Sequence, residues 1–217
     1  MRGRFGAVAL AGVVAGAVTL AFAATRARSE AGDSGATGEL RVVEQGDGSF
    51  TTAGGSAPRV GTGKVLRYAV AVENGIDQDA AEFAGWVDRI LADPRGWTGG
   101  KRWSFQRGAA AEPDFVVRLA SPSTVDTICA GYGLDTAGEA SCRGGQDVVV
   151  NLRRWLLAIP AYEGDVGSYR HLVVNHEVGH FLGFGHVDCP APGERAPVMQ
   201  TQMYGLDGCL PNAWPYP

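Results

Sequence analysis

Apolar and polar positions along this chain fall into a few readable patterns. Val65 to Glu73 alternates as a half-buried strand does. Asp77 can N-cap a helix running to about Ala92, in which Phe83, Trp86, Val87, Ile90 and Leu91 recur at helical spacing. That spacing predicts core aromatics rather than a ligand platform. Arg102 to Gln106 and Asp114 to Leu119 read as further strands, and the Val-Val-Val run within Asp147 to Leu152 as a buried one. Asp165 or Ser168 starts another helix, on which Leu172, Val173, His176 and His180 share a side. His171 lies about 140° round from His176 on such a helix and is expected to face solvent. The second half is otherwise expected to hold few regular elements, with Pro190, Pro192, Pro197 and Pro211 among its loops.

The N-terminal pattern is of another kind. After Met-Arg-Gly-Arg, the run from Phe5 to Ala24 carries no charge. It matches the roughly 20 residues that span a bilayer and exceeds the ~7–15 of a cleaved signal core. Ala21-Phe22-Ala23 nevertheless offers a small-x-small cleavage signal. Residues 1–24 are therefore a signal peptide or an N-terminal membrane anchor, and both stay open. Either exports the remainder of the chain, so the expected location is extracytoplasmic, secreted or anchored to the membrane. Residues 25–60 read as a linker rich in small residues, with a short hairpin around Gly46-Asp47-Gly48. Residues 61–217 suit one domain.

The candidate chemistry is concentrated in His176-Glu177-Val178-Gly179-His180-Phe181-Leu182-Gly183-Phe184-Gly185-His186, which holds three of the four histidines. Residues four apart on a helix lie about 5–6 Å apart at Cβ, so His176 and His180 can hold one metal ion. A continuing helix would point His186 roughly 240° away from His180. Gly183 removes that difficulty, because glycine adopts a positive φ at a helix C-terminus without steric cost. A chain that turns there brings His186 to the same ion. Three neutral imidazoles then hold one Zn2+ and leave a fourth position for water, whose proton Glu177 accepts. Asp188 is a candidate acceptor for a ligand imidazole or part of a plain surface turn.

Charge and cysteine usage narrow the setting. A net charge of −4 without a basic stripe gives no footprint for nucleic acid. The expected partner is a peptide or protein substrate, with membrane contact only through the N-terminal segment and the chain acting as a monomer. Four cysteines allow three pairings, and short-loop closure favours Cys129–Cys142 and Cys189–Cys209. Such bonds fit an oxidising compartment better than a Cys189 thiolate on the metal.

His176-Glu177-x-x-His180-x-x-Gly183-x-x-His186, followed by a methionine in Ala196-Pro197-Val198-Met199-Gln200, resembles the metzincin zinc metallopeptidases. The strings Trp97-Thr98-Gly99-Gly100, Ala120-Ser121-Pro122, Val174-Asn175-His176-Glu177 and His186-Val187-Asp188-Cys189-Pro190 further resemble an actinobacterial family of exported, metzincin-like proteins of unknown function. That resemblance covers about residues 60 to 215. It implies an α+β zincin domain: a mixed twisted sheet packed on helices, the zinc-binding helix beneath it, and a short irregular C-terminal subdomain. It also implies a Met-turn at Met199, with Met203 as second candidate. The chain departs from the metzincin pattern in two respects. Little of it remains after the turn, and Thr201 stands where some relatives place a zinc-reaching tyrosine, so Tyr204 is not assigned as a ligand. The implied activity is a metalloendopeptidase. The alternatives are a non-catalytic zinc-containing surface binding protein and a zinc amidase acting on cell-wall material.

Overall fold

Seven strands and four α-helices make up the fold in a computed structural model that describes residues 41–108 and 112–217. The strands are β1 (Phe50–Thr52), β2 (Val60–Gly61), β3 (Lys64–Glu73), β4 (Trp103–Arg107), β5 (Phe115–Ala120), β6 (Cys142–Gly144) and β7 (Asp147–Asn151). The helices are α1 (Ala80–Ala92), α2 (Pro122–Ala130), α3 (Leu152–Leu157) and α4 (Val166–Phe181). Residues 1–24, expected to be a signal or anchor, lie outside the described residues. Among the described residues no helix is long and apolar enough to cross a membrane.

The sheet is mixed and twisted, in the order β2-β4-β3-β5-β7-β6, with β1 paired to β3 off that path. β4, β3, β5 and β7 run parallel, whereas β6 pairs antiparallel with β7 and forms one edge. Parallel neighbours need helical crossovers, which is why α1 and α2 come after β3 and β5. One face packs Val148, Val150, Phe115 and Leu119 against α1, α3 and α4 in the main core. The other packs Ala120 and Val149 against Val125 and Cys129 of α2. The architecture is therefore α+β.

Several expectations need correction. Asp79, not Asp77, caps α1: its Oδ1 accepts from Glu82 N at 2.7 Å, while Asp77 sits at φ 53° in the preceding turn. Residues 41–60 are not a free linker. β1 adds to the sheet along β3, and Val42, Val43 and Ala53 pack on the core. Nor does Gly46-Asp47-Gly48 turn a hairpin. That loop wraps the buried Glu73 carboxylate, which accepts from Gly48 N (2.9 Å), Ser121 N (2.7 Å) and Thr124 Oγ1 (2.6 Å). Gly46 is required there, because a Cβ would lie 2.4 Å from Glu73 Oε1.

The second half is richer in regular structure than its composition suggests. Pro122 sits at the start of α2, where a missing N–H costs nothing. At Leu152 the strand gives way to α3, because Asn151 turns its side chain to cap Arg153 N at 2.9 Å. His171 is half-buried, its ring 4.7 Å from Trp214 and 6.0 Å from Trp86, rather than facing solvent. Burial pushes its pKa down. Both disulfides pair as short-loop closure favours, Cys129 with Cys142 and Cys189 with Cys209. The second bond removes Cys189 from any role as a thiolate ligand.

Candidate metal centre and its cleft

Helix α4 begins where Asp165 accepts from Ser168 N at 2.9 Å, and it carries His176, Glu177 and His180 in its C-terminal half. It ends in a Schellman turn. Phe184 N donates to Gly179 O (3.0 Å) and Gly183 N to His180 O (3.1 Å), with Gly183 at φ 95°. The reversal returns His186 to the helix. The three Nε2 atoms then stand 3.1 Å (His176–His180), 3.0 Å (His180–His186) and 3.3 Å (His176–His186) apart.

The His176–His180 separation is not a hydrogen bond. His176 Nδ1–H donates to Val198 O at 2.8 Å and His180 Nδ1–H to Phe184 O at 2.9 Å. These main-chain carbonyls fix the tautomers and leave both Nε2 atoms as bare lone pairs. Burial strengthens the effect by pushing His176 down to about 4 and His180 below its ordinary value. Lone pairs gathered at this distance repel unless a cation stands between them. Nitrogens about 2.0–2.1 Å from one tetrahedral zinc lie roughly 3.3 Å apart. The donor set therefore fits a tetrahedral ion, and among the described residues it is the one His/Cys/Asp/Glu cluster within reach of a common metal.

Glu177 is buried, and burial alone pushes its pKa up to about 8. It borders, with all three histidines, a cleft of about 390 Å³. One wall of that cleft is Ser141 to Arg143 on and beside the edge strand β6. The opposite wall is Gln200 to Tyr204, and Leu172 and Val173 of α4 add apolar surface.

Met199 lies beneath the histidines. Pro197 to Gln200 form a tight turn, with Gln200 N donating to Pro197 O at 2.9 Å. The buried Met199 packs against Gly179, where a Cβ would meet its Sδ at 2.3 Å and Trp97 Cζ2 at 2.7 Å. The glycine between the two helical histidines is thus a packing requirement that the motif spacing did not reveal. Asp188 is exposed and has no bond to a ligand imidazole; carbonyls hold the rings instead. Tyr204 is 76% exposed at the cleft rim.

Sequence reasoning missed Arg143 and the buried amides Gln202 and Asn212, and gave Asn175, quoted only within a motif string, no structural role. Arg143, Gln202 and Asn212 sit in no periodic pattern, and the sole pointer to Arg143 is its neighbour Cys142. Residues 37–209 match the family described as "Protein of unknown function (DUF3152)". The chain belongs to that family. The match takes in the segment around β1 as well as the histidine motif, in keeping with its place in the sheet. No curated protein and no solved structure matches the chain.

Proposed function

We propose that this family member is an exported zinc metalloendopeptidase with a metzincin-like fold. The observation that carries the reading is the convergence of three Nε2 atoms beside Glu177 in one open cleft. His176, His180 and His186 would hold the ion. When bound, zinc acts as a Lewis acid toward a carbonyl and acidifies a water. The chain supplies the rest. Beside a cation held by the histidines the raised Glu177 pKa would be pulled back down, so that its carboxylate takes a proton from the attacking water and passes it to the leaving amine. β6 has no outer partner strand among the described residues and borders the cleft of the triad, so an extended peptide can add to it as a further strand. Val198 O and Phe184 O hold two imidazoles in register, and Met199 supports the helix from below. The two disulfides support an oxidising, extracytoplasmic setting.

The test combines metal analysis with cleavage of a diverse peptide library by the purified protein. One zinc per chain is expected, with cuts abolished by a chelator and restored by zinc. Glu177→Gln should keep the metal and lose cleavage by about 10²–10⁴-fold. His186→Ala should lose the metal itself. A zinc-loaded protein that makes no chelator-sensitive cut would overturn the peptidase reading in favour of a binding protein or of an amidase with another substrate.

A further inference from the structure

Arg143 is anomalous among the arginines of the domain. Arg107, Arg118, Arg153 and Arg154 each pair with a carboxylate: Asp88, Asp147, Glu44 and Glu139 respectively. Arg170 donates to Trp155 O and stacks on Trp86 and Trp155. Arg153 has a buried Nε without a hydrogen-bond partner, but its Nη2 pairs with Glu44; Arg143 combines a partnerless buried Nε with the lack of any ion pair among the described residues. An unmade bond on a buried cationic donor is costly, and such groups call for an explanation.

Sheet register explains why no internal acid serves. Arg143 lies opposite Val148, whose side chain is in the main core beneath α4. Its flanking residues Cys142 and Gly144 face the other way, with Asp147 and Val149. Asp147 is therefore on the wrong side, and it already binds Arg118 (2.7 Å) and Tyr132 OH (3.0 Å). Arg143 instead borders the cleft, with its Cζ 5.8 Å from the ring of Phe181, the residue after His180. The other acid of the cleft apart from Glu177 is Asp135, an exposed side chain that accepts from Ala137 N within its own turn (3.0 Å).

We infer that Arg143 selects for a carboxylate on the bound chain: the guanidinium on β6 receives either an acidic side chain or a free C-terminus of a peptide lying along that edge. This deepens the peptidase reading and rests on it for the identity of the ligand as a peptide. A guanidinium fork suits a carboxylate because two parallel N–H···O bonds can form. Placement on an edge strand fixes the distance between that carboxylate and the histidines, so the preference belongs to one substrate position.

The experiment measures binding separately from turnover. Full-length Glu177→Gln protein, with zinc and after chelation, is titrated with extended peptides in matched pairs: Glu against Gln at each position, and free against amidated C-terminus. One pair should differ by about tenfold or more, and which pair it is distinguishes the side chain from the terminus. Arg143→Met should abolish that difference without lowering the neutral peptide's affinity, the metal content or the thermal midpoint. Arg143→Lys, which keeps the charge without the fork, should retain part of it. In the otherwise native enzyme the same preference should appear in KM. Equal binding of every pair, or a preference that survives Arg143→Met, overturns the assignment. Chelator-sensitive cleavage without any Arg143-dependent preference refutes only this inference. Arg143-dependent binding without cleavage refutes only the peptidase.

Discussion

The two walls of the cleft are built on different principles. The β6 wall is ordinary secondary structure: three residues paired to β7 and tied from behind to α2 by Cys129–Cys142. The opposite wall, Gln200 to Tyr204, belongs to a segment from Arg195 to Trp214 that has one short 3₁₀ turn and a single bridge, Arg195 to Leu210. Buried backbone without a ladder still needs partners. Here side-chain amides provide them. Asn212 Nδ2 donates to Ala196 O (2.8 Å) and Trp214 O (2.9 Å), and its Oδ1 accepts from Trp214 N (3.2 Å). Gln202 Nε2 donates to Asn212 O (2.7 Å), and Asn175 Nδ2 of α4 to Ala213 O (3.0 Å). One wall is held by a short repeating backbone ladder and the other by side-chain amides that each serve different backbone groups.

If that contrast is right, the largest loss comes from a single amide. Asn212→Ala strands two carbonyls and one N–H inside the protein, at about 1–3 kcal/mol per unsatisfied group. Allowing for water entry, the expected cost is about 4 kcal/mol in urea unfolding. Trp214 should redden and brighten in fluorescence even before the main transition. A cost below about 1 kcal/mol would mean that the irregular wall is held by its packing and its disulfide instead.

Removing the disulfides sharpens the comparison next. Their sequence separations are 13 and 20, so chain entropy assigns each about 3 kcal/mol, the longer loop roughly 0.4 kcal/mol more. Similar stability effects should accompany opposite functional ones. Cys189 lies three positions beyond His186, so, on the proposed zinc site, replacing Cys189 and Cys209 by Ala should weaken metal binding. Replacing Cys129 and Cys142 by Ala should spare zinc and weaken peptide binding along β6. Equal effects of both double variants on zinc affinity would erase the functional distinction between the walls.

The same contrast explains what was legible in the sequence. Alternation located β3 and β5; β7 was legible as a continuous apolar run, and α4 by its N-cap and its histidine spacing, since it is buried on every side from Leu172 to Gly179. The histidine motif was readable because helix geometry and one glycine dictate where its rings go. α2 presents only Pro122, Val125 and Cys129 to the interior, too few for a period to stand out. β6 is Cys-Arg-Gly, a strand by virtue of its register with β7 rather than by propensity. Gln202 and Asn212 act through bonds to backbone remote in pattern, and polar residues in a loop carry no sign of that. The legible half of the site is the part set by local geometry. The illegible half is set by tertiary pairing.

Gly179 tests the seam where the helix meets the irregular wall, and it carries the smallest expected effect. In an exposed helix Gly→Ala would stabilise by about 1 kcal/mol. At this position the added Cβ meets Met199 Sδ at 2.3 Å, Met199 Cε at 3.2 Å and Trp97 Cζ2 at 2.7 Å. The thioether can swing aside at little cost. Trp97 cannot, because its Nε1–H donates to Asn175 O (2.9 Å) and its ring stacks on Phe184 at 4.7 Å. Overpacking of about 1–3 kcal/mol should therefore outweigh the propensity gain, for a net loss of about 1 kcal/mol. Displacing Trp97 and Met199 also disturbs Phe184 and Val198, whose carbonyls orient His180 and His176. Zinc affinity should then fall by more than the global stability change implies. A Gly179→Ala protein with a raised melting midpoint and unchanged zinc affinity would show that the turn beneath the helix yields freely, and that the irregular wall supports the histidines without constraining them.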